Sequence, residues 1–192
     1  RSQNPADSVT LKPHLASHIN KYDELPAAVI TDAGYGSEEN YQYLSDNQIE
    51  GYVKYQSFDR EQKKKRVDKK PFTEDKLYYN PDGDYYVCPM GQRMEKLGQR
   101  KKTTANNYEI QVSLYQAKNC RGCPLRGVCH NQQEDRIINV SHTGKYFKAK
   151  AREKLLSEQG EIYRKERSVD VETIFGNIKQ NKNFRRFYLR GK

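Results

Sequence analysis

The stretch Ala27-Ala28-Val29-Ile30-Thr31-Asp32-Ala33-Gly34-Tyr35-Gly36-Ser37-Glu38-Glu39 decides the fold. Its first five residues form a short uninterrupted run, the pattern of a strand buried on both faces in a parallel sheet. Asp32, Gly34 and Gly36 stop that run. Ser37 then caps a helix whose first turn carries Glu38 and Glu39, where the helix dipole favours acids. Tyr41 and Leu44 make its inward face. Upstream, Ser8 is expected to cap a helix carrying Leu11, Leu15, His18, Ile19 and Tyr22, with Pro13 tolerated in the first turns. Downstream, Ile49 to Tyr55 reads as the next strand. Helix, strand, helix, strand is an α/β unit.

The composition then breaks. Seven of the eleven residues from Arg60 to Lys70 are Lys or Arg, which predicts a basic linker or loop. From Phe72 the style turns to β. Leu77-Tyr78-Tyr79 and Tyr85-Tyr86-Val87 flank the turn Asn80-Pro81-Asp82-Gly83 and predict a hairpin. Tyr108 to Tyr115 alternates strictly and predicts another strand. From about Ser141 the pattern is helical, with sparse apolar positions at Leu155, Leu156, Ile162 and Tyr163. A further helix is expected from Val169 to Lys179, and the tail from Asn183 is basic and aromatic. The domain reading is therefore 1–58 core, 59–71 basic linker, 72–140 β-rich insertion and 141–192 helical return to the core.

The 192 residues carry 35 Lys and Arg against 25 Asp and Glu, a net charge of +10. Leu, Ile, Val and Phe are 36 of them, a share at which disorder competes with folding. Fifteen tyrosines tip the balance to a folded chain with a thin core. No apolar run approaches the roughly 20 residues of a membrane span, so no membrane is expected. The polar opening Arg1-Ser2-Gln3-Asn4-Pro5 is no signal peptide, and the absence of an initiator Met suggests a fragment. The positive charge makes nucleic acid the first candidate partner.

Three sets of residues carry possible chemistry. Cys120, Cys123 and Cys129 cluster, and Cys88 precedes them beside Pro89-Met90-Gly91, a knuckle-like turn. Four such thiolates can hold a closed structural Zn²⁺, with reduced buried thiols or disulfides as the other readings. Asp32 sits at the carboxyl end of the first strand, the edge where active sites form in open α/β sheets. A turn or cap role is its plainer reading. Glu172, Phe175, Gly176 and Lys179 share a helix face that is otherwise an ordinary solvated stripe, and Asp170 competes with Glu172.

Together these pieces resemble the bacterial insertion-sequence DDE transposases. Thr31 to Asn40 is similar to their second-aspartate motif. Val171-Glu172-Thr173-Ile174-Phe175-Gly176-Asn177-Ile178-Lys179, followed by Phe184-Arg185-Arg186-Phe187 and Arg190-Gly191, is similar to their third-acid motif. One branch of that family carries a cysteine-bearing insert between the two. Tyr163 and Arg167 resemble the Tyr and Arg of the family signature, at gaps of three and four residues where the commonest form has two and three.

The resemblance implies a partial ribonuclease-H-like core, of α/β class, interrupted by a β-rich, zinc-stapled insertion. It implies Asp32 and Glu172 as catalytic ligands of Mg²⁺ or Mn²⁺, and DNA cleavage and strand transfer as the reaction. Lys179 fills the family's basic slot. Lys63, Lys64, Lys65, Arg66, Arg167, Arg185 and Arg186 are the further candidates for DNA contact. The first aspartate of the triad has no counterpart, since Asp7 and Asp23 lie in no strand pattern, so this chain alone is expected to be inactive. Double-stranded DNA (transposon ends and target), a homodimeric parent protein and a nucleoid-associated place in a bacterial cytoplasm complete the expectation. The competing readings are a non-catalytic zinc-binding nucleic-acid module, in which Asp32 and Glu172 are incidental, and a domesticated transposase remnant.

Overall fold

The computed structural model describes residues 7–63, 71–172 and 177. The chain divides into two compact units, one of Arg1–Phe58 with Phe147–Lys192 and one of Asp59–Tyr146.

In the first unit, a short 3-10 turn at Asp7–Val9 leads into helix α1 (Leu11–Tyr22). Ser8 lies in that turn and does not cap α1, which begins after Thr10 without a side-chain cap. Asp23, in the left-handed region, closes it by donating its N–H to the Ile19 carbonyl at 2.7 Å. Strand β1 (Ala28–Thr31) pairs in parallel with β2 (Glu50–Val53), in the register Ala28 to Glu50 through Thr31 to Val53. Every residue of β1 is only half-buried, so the two-sided burial expected of it is not observed. Among the described residues the pair is two strands wide, and the deep positions fall on β2, at Tyr52 and Val53.

Helix α2 (Glu38–Asp46) crosses between the strands, its N-terminus held by Ser37 Oγ, which accepts from the Asn40 N–H at 3.2 Å. Leu11, Leu15, Leu44, Ile49 and Val53 form one core cluster. Tyr52, Tyr55, Phe58, Ala151 and Leu155 form a second, joining the strands to α4 (His142–Leu156). Ser157 caps the following helix α5 (Glu158–Arg167), accepting from Gly160 N–H at 3.1 Å. Gly160 is buried hard against the Lys154 carbonyl, where a side chain does not fit. The backbone continues from α5 as a π-helical turn at Ser168–Glu172.

The second unit opens with the end of a short helix, α3 (Phe58–Glu61), and is built on one antiparallel sheet. Its strands are β3 (Tyr79–Asn80), β4 (Tyr85–Val87), β5 (Arg93–Thr103), β6 (Glu109–Gln116) and β7 (Ile137–Val140), in sequential order. The predicted hairpin pairs Tyr79 with Tyr86, and Asn80 Oδ1 accepts from the Gly83 N–H at 2.8 Å. Strand β5 carries no alternation and was not expected; its charged side chains are exposed on both faces over most of its length. Tyr86, Met94, Tyr115, Ala117, Cys120, Ile138 and Val140 form the core of this unit.

Candidate active site

Asp32 follows β1 directly and starts a 3-10 turn at Ala33–Tyr35. Its Oδ1 accepts from the Gly34 N–H at 3.1 Å, so the plain capping role is real. Its Oδ2 accepts from Arg167 Nη2, also at 3.1 Å. Gly36 lets the turn press against the second strand: a Cβ there would collide with the Lys54 carbonyl and stand 3.1 Å from the Tyr41 hydroxyl. Asp7 packs against the same turn, since a Cβ on Gly34 would stand 2.6 Å from Asp7 Oδ2 and 3.2 Å from Asp32 Oδ1. The sequence pattern passed over Asp7 because it lies on no strand; only the folded chain brings it to Gly34.

Arg167 reaches Asp32 because α5 is fixed at its start and its middle. Ser157 and Gly160 set its start. Tyr163 packs edge-on to Tyr52 of β2, ring centroids 4.9 Å apart. The last turn of α5 gathers Arg164, Lys165 and Arg167, cations that its dipole favours. With Lys54, Thr31, Ile30, Ser168 and Glu161 they line a cleft of about 440 Å³ at the carboxyl end of β1. Four of these eight residues are cationic and one is acidic, so the cleft suits an anion. Thr31 Oγ1 is buried there without a hydrogen-bond partner among the described residues. Lys54, Arg164 and Lys165 were not picked out in the sequence, because each is a single charge among many.

The other expected residues are placed less fully. Glu172 lies at the end of the π-helical turn, five residues after Arg167. The predicted face formed with Phe175, Gly176 and Lys179 lies outside the described residues, as do Lys64, Lys65, Arg66, Arg185 and Arg186. Lys63 is exposed just past α3.

The cysteines all lie in the second unit and are free thiols. Cys120 is buried in its core and Cys88 packs against that core. Cys120 Sγ accepts from the Arg136 N–H at 3.5 Å, and Cys129 Sγ accepts from Arg136 Nη1 at 2.9 Å. Among the described residues no three of His, Cys, Asp and Glu gather into a metal-ligand group. The four-sulfur cluster expected from the spacing is therefore not assembled in this structure. Arg136, itself a cation, takes the position beside Cys129.

A family model described as transposase DDE domain matches residues 87–192, more than half of the chain. The chain belongs to the transposase DDE domain family. The matched part of this transposase domain contains all four cysteines and Glu172, and begins after Asp32. No curated protein and no solved structure matches the chain. Transposase DDE domains generally work with a divalent metal such as Mg²⁺, and on DNA. Among the described residues no helix is long and apolar enough to cross a membrane.

Proposed function

We propose that this transposase domain supplies the second and third acids, Asp32 and Glu172, of a site for metal-dependent DNA cleavage and strand transfer. The observation that carries the reading is the contact of Arg167 with Asp32. It ties the end of β1 to the backbone that runs into Glu172 five residues later. The parallel β1–β2 pair with α2 between them supports a ribonuclease-H-like core around that edge.

Two carboxylates offer hard oxygen donors of the kind Mg²⁺ and Mn²⁺ prefer. Asp32 Oδ2 already faces a cation and its side chain is 46% exposed, so an ion can reach it. Asp32 and Glu172 would hold the metal, and two bound Mg²⁺ ions would supply activation of water or a 3′-hydroxyl and stabilisation of the leaving oxygen. Arg167, Arg164, Lys165 and Lys54 hold the scissile phosphate beside Asp32, and Lys179 acts from the Glu172 segment. The chain offers two of the three acids by motif, so by itself it binds metal weakly and does not cut.

In this scheme unit 59–146 is an insertion between the two acids. Cys88, Cys120, Cys123 and Cys129 are the residues that would hold a structural Zn²⁺, which takes thiolate donors. Transposon-end and target DNA are the partners, on a dimeric full-length protein associated with the nucleoid.

The test is transposition by a full-length protein carrying this domain. Asp32→Asn and Glu172→Gln are each expected to abolish strand transfer while leaving DNA binding in place. Full activity of either variant would leave the non-catalytic binding module as the better reading. Asp32-dependent product from this chain alone would overturn its inactivity.

A further inference from the structure

The far ends of β5 and β6 run past both neighbouring strands. The register slips at Leu97, which has no partner, and resumes at Gly98 opposite Leu114. Such a bulge bends a strand and re-aims the residues beyond it. Strand β4 pairs with β5 only at Arg93 and Met94, and β7 pairs with β6 only from Ser113 onward. From Arg100 opposite Val112 to Thr103 opposite Glu109, the described residues place no third strand beside the pair. This two-stranded ribbon spans four residue pairs, about 14 Å at the usual rise.

The ribbon is firmly built. At its tip the Thr104 N–H donates to the Tyr108 carbonyl at 2.8 Å and the Asn107 N–H to the Thr104 carbonyl at 3.0 Å. One face presents Gln99, Lys101, Thr103, Glu109 and Gln111, all exposed, with Gln111 Nε2 donating to Gln99 Oε1 at 2.6 Å. Lys102 extends from the other face, which it shares with Arg100, whose Nη2 donates to Asn139 Oδ1 of β7 at 3.1 Å. Three cations stand against one carboxylate, Glu109, whose pairing with Lys101 is on the surface and gives way at little cost.

These features select a partner. Two strands about 4.8 Å apart, with side chains, fit a major groove about 12 Å wide, which admits a two-stranded β-ribbon. Gln amides bond base edges there, and Lys and Arg reach the phosphates on either side. A lysine-bearing edge opposes pairing with a second copy of itself. We propose that the β5–β6 ribbon, residues 100–112, is a duplex-DNA contact that seats in the major groove. The choice of DNA rests on the transposase reading; the choice of this ribbon rests on its own geometry.

The test uses the full chain and a fluorescent duplex, with affinity followed against salt. Lys101→Ala/Lys102→Ala is compared with Lys118→Ala/Arg121→Ala, which removes two exposed cations elsewhere in the same unit. Each phosphate contact contributes about 0.9 to the slope of log affinity against log salt. The ribbon variant is therefore expected to flatten the slope by about 2, the control to leave it unchanged, and a major-groove ligand to displace the chain where a minor-groove ligand does not. Equal effects of the two double variants, or none, would overturn the ribbon while DNA binding by the wild-type chain kept the transposase reading. Loss of self-association in place of DNA affinity would also overturn it. A wild-type chain with no affinity for duplex at low salt would remove the DNA partner itself.

Discussion

Arg167 Nη2 stands 3.1 Å from Asp32 Oδ2, so the carboxylate proposed to hold a metal ion is held by a guanidinium. Both side chains are partly exposed, and such a pair contributes about 0.2–1 kcal/mol. Arg167→Ala is expected to lower stability by no more than that. The same variant removes a competing cation from Asp32, so Mn²⁺ affinity of the chain should rise by up to about fivefold, the equivalent of 1 kcal/mol. Calorimetric titration with Mn²⁺ reads this directly. Unchanged or weaker affinity would show that the two cations do not compete.

Gly36 and Gly34 bracket the same turn but differ in what stands behind them. A methyl group at Gly36 meets the backbone carbonyl of Lys54, which cannot turn aside. Gly36→Ala should cost about 1–3 kcal/mol, the range for overpacking. At Gly34 the nearest atom is the end of the Asp7 side chain, which can swing away, so Gly34→Ala should cost less. Urea midpoints of the two variants give the order; the reverse order would contradict the placement of the turn on Lys54.

Much of the first unit was legible because short-range signals decide it. Ser37 with Glu38 and Glu39 is a helix start whatever surrounds it, and Ala28 to Thr31 has few alternatives to a strand. Where a signal competes with a neighbour the reading failed. Ser8 sits in a 3-10 turn, and α1 starts three residues later without a side-chain cap. Strand β5 was invisible because its residues, from Arg93 to Thr103, are mostly charged and solvated on both sides, which erases the period of two. In the site, Asp32 was readable from its place after a strand. Its partner Arg167 was readable as a cation and not as a neighbour, since 135 residues separate them in sequence. Asp7, Lys54 and Arg136 carry no local signal at all, because only the fold brings them to Gly34, the cleft and the thiols.

The second unit should lose stability in acid in two stages. Burial pushes His142 below its ordinary value, and Tyr115, its neighbour at 2.8 Å, is fully buried. A neutral folded histidine takes up a proton on unfolding. Its contribution is therefore complete above the unfolded value of 6.5 and is lost as pH falls below it. Asp84 is held down to about 2 from 3.8 by hydrogen bonds from Lys96, then Tyr115 and Tyr79. That contribution is present above 3.8 and is lost between there and about 2. Urea midpoints near neutrality, at about pH 5 and at about pH 3 should fall in both intervals. His142→Gln should shrink the first step, with His130, lowered by burial in the same unit, keeping the rest. Tyr115→Phe leaves Asp84 without a 2.5 Å donor and should cost about 1–3 kcal/mol at neutrality. A flat profile down to pH 4 would contradict the neutral buried His142.

Arg136 is the residue on which the thiol region turns. It is 7% exposed, and its guanidinium donates to Cys129 Sγ and to the Phe72 carbonyl while its N–H donates to Cys120 Sγ. Arg136→Ala breaks both guanidinium bonds at once and should cost about 2–3 kcal/mol. Arg136→Lys should recover little, because an ammonium cannot reproduce a planar fork. The thiols themselves should label in a fixed order under native conditions. Cys120 is buried and burial pushes its thiol up, so its thiolate is scarce and it reacts last. Mass mapping of a labelling time course resolves the four sites. Added zinc should slow all four together if they close on one ion, and chelation should restore the original order. Labelling of Cys120 as fast as Cys123 without zinc would mean that the core around Tyr115 and Val140 is not closed over it.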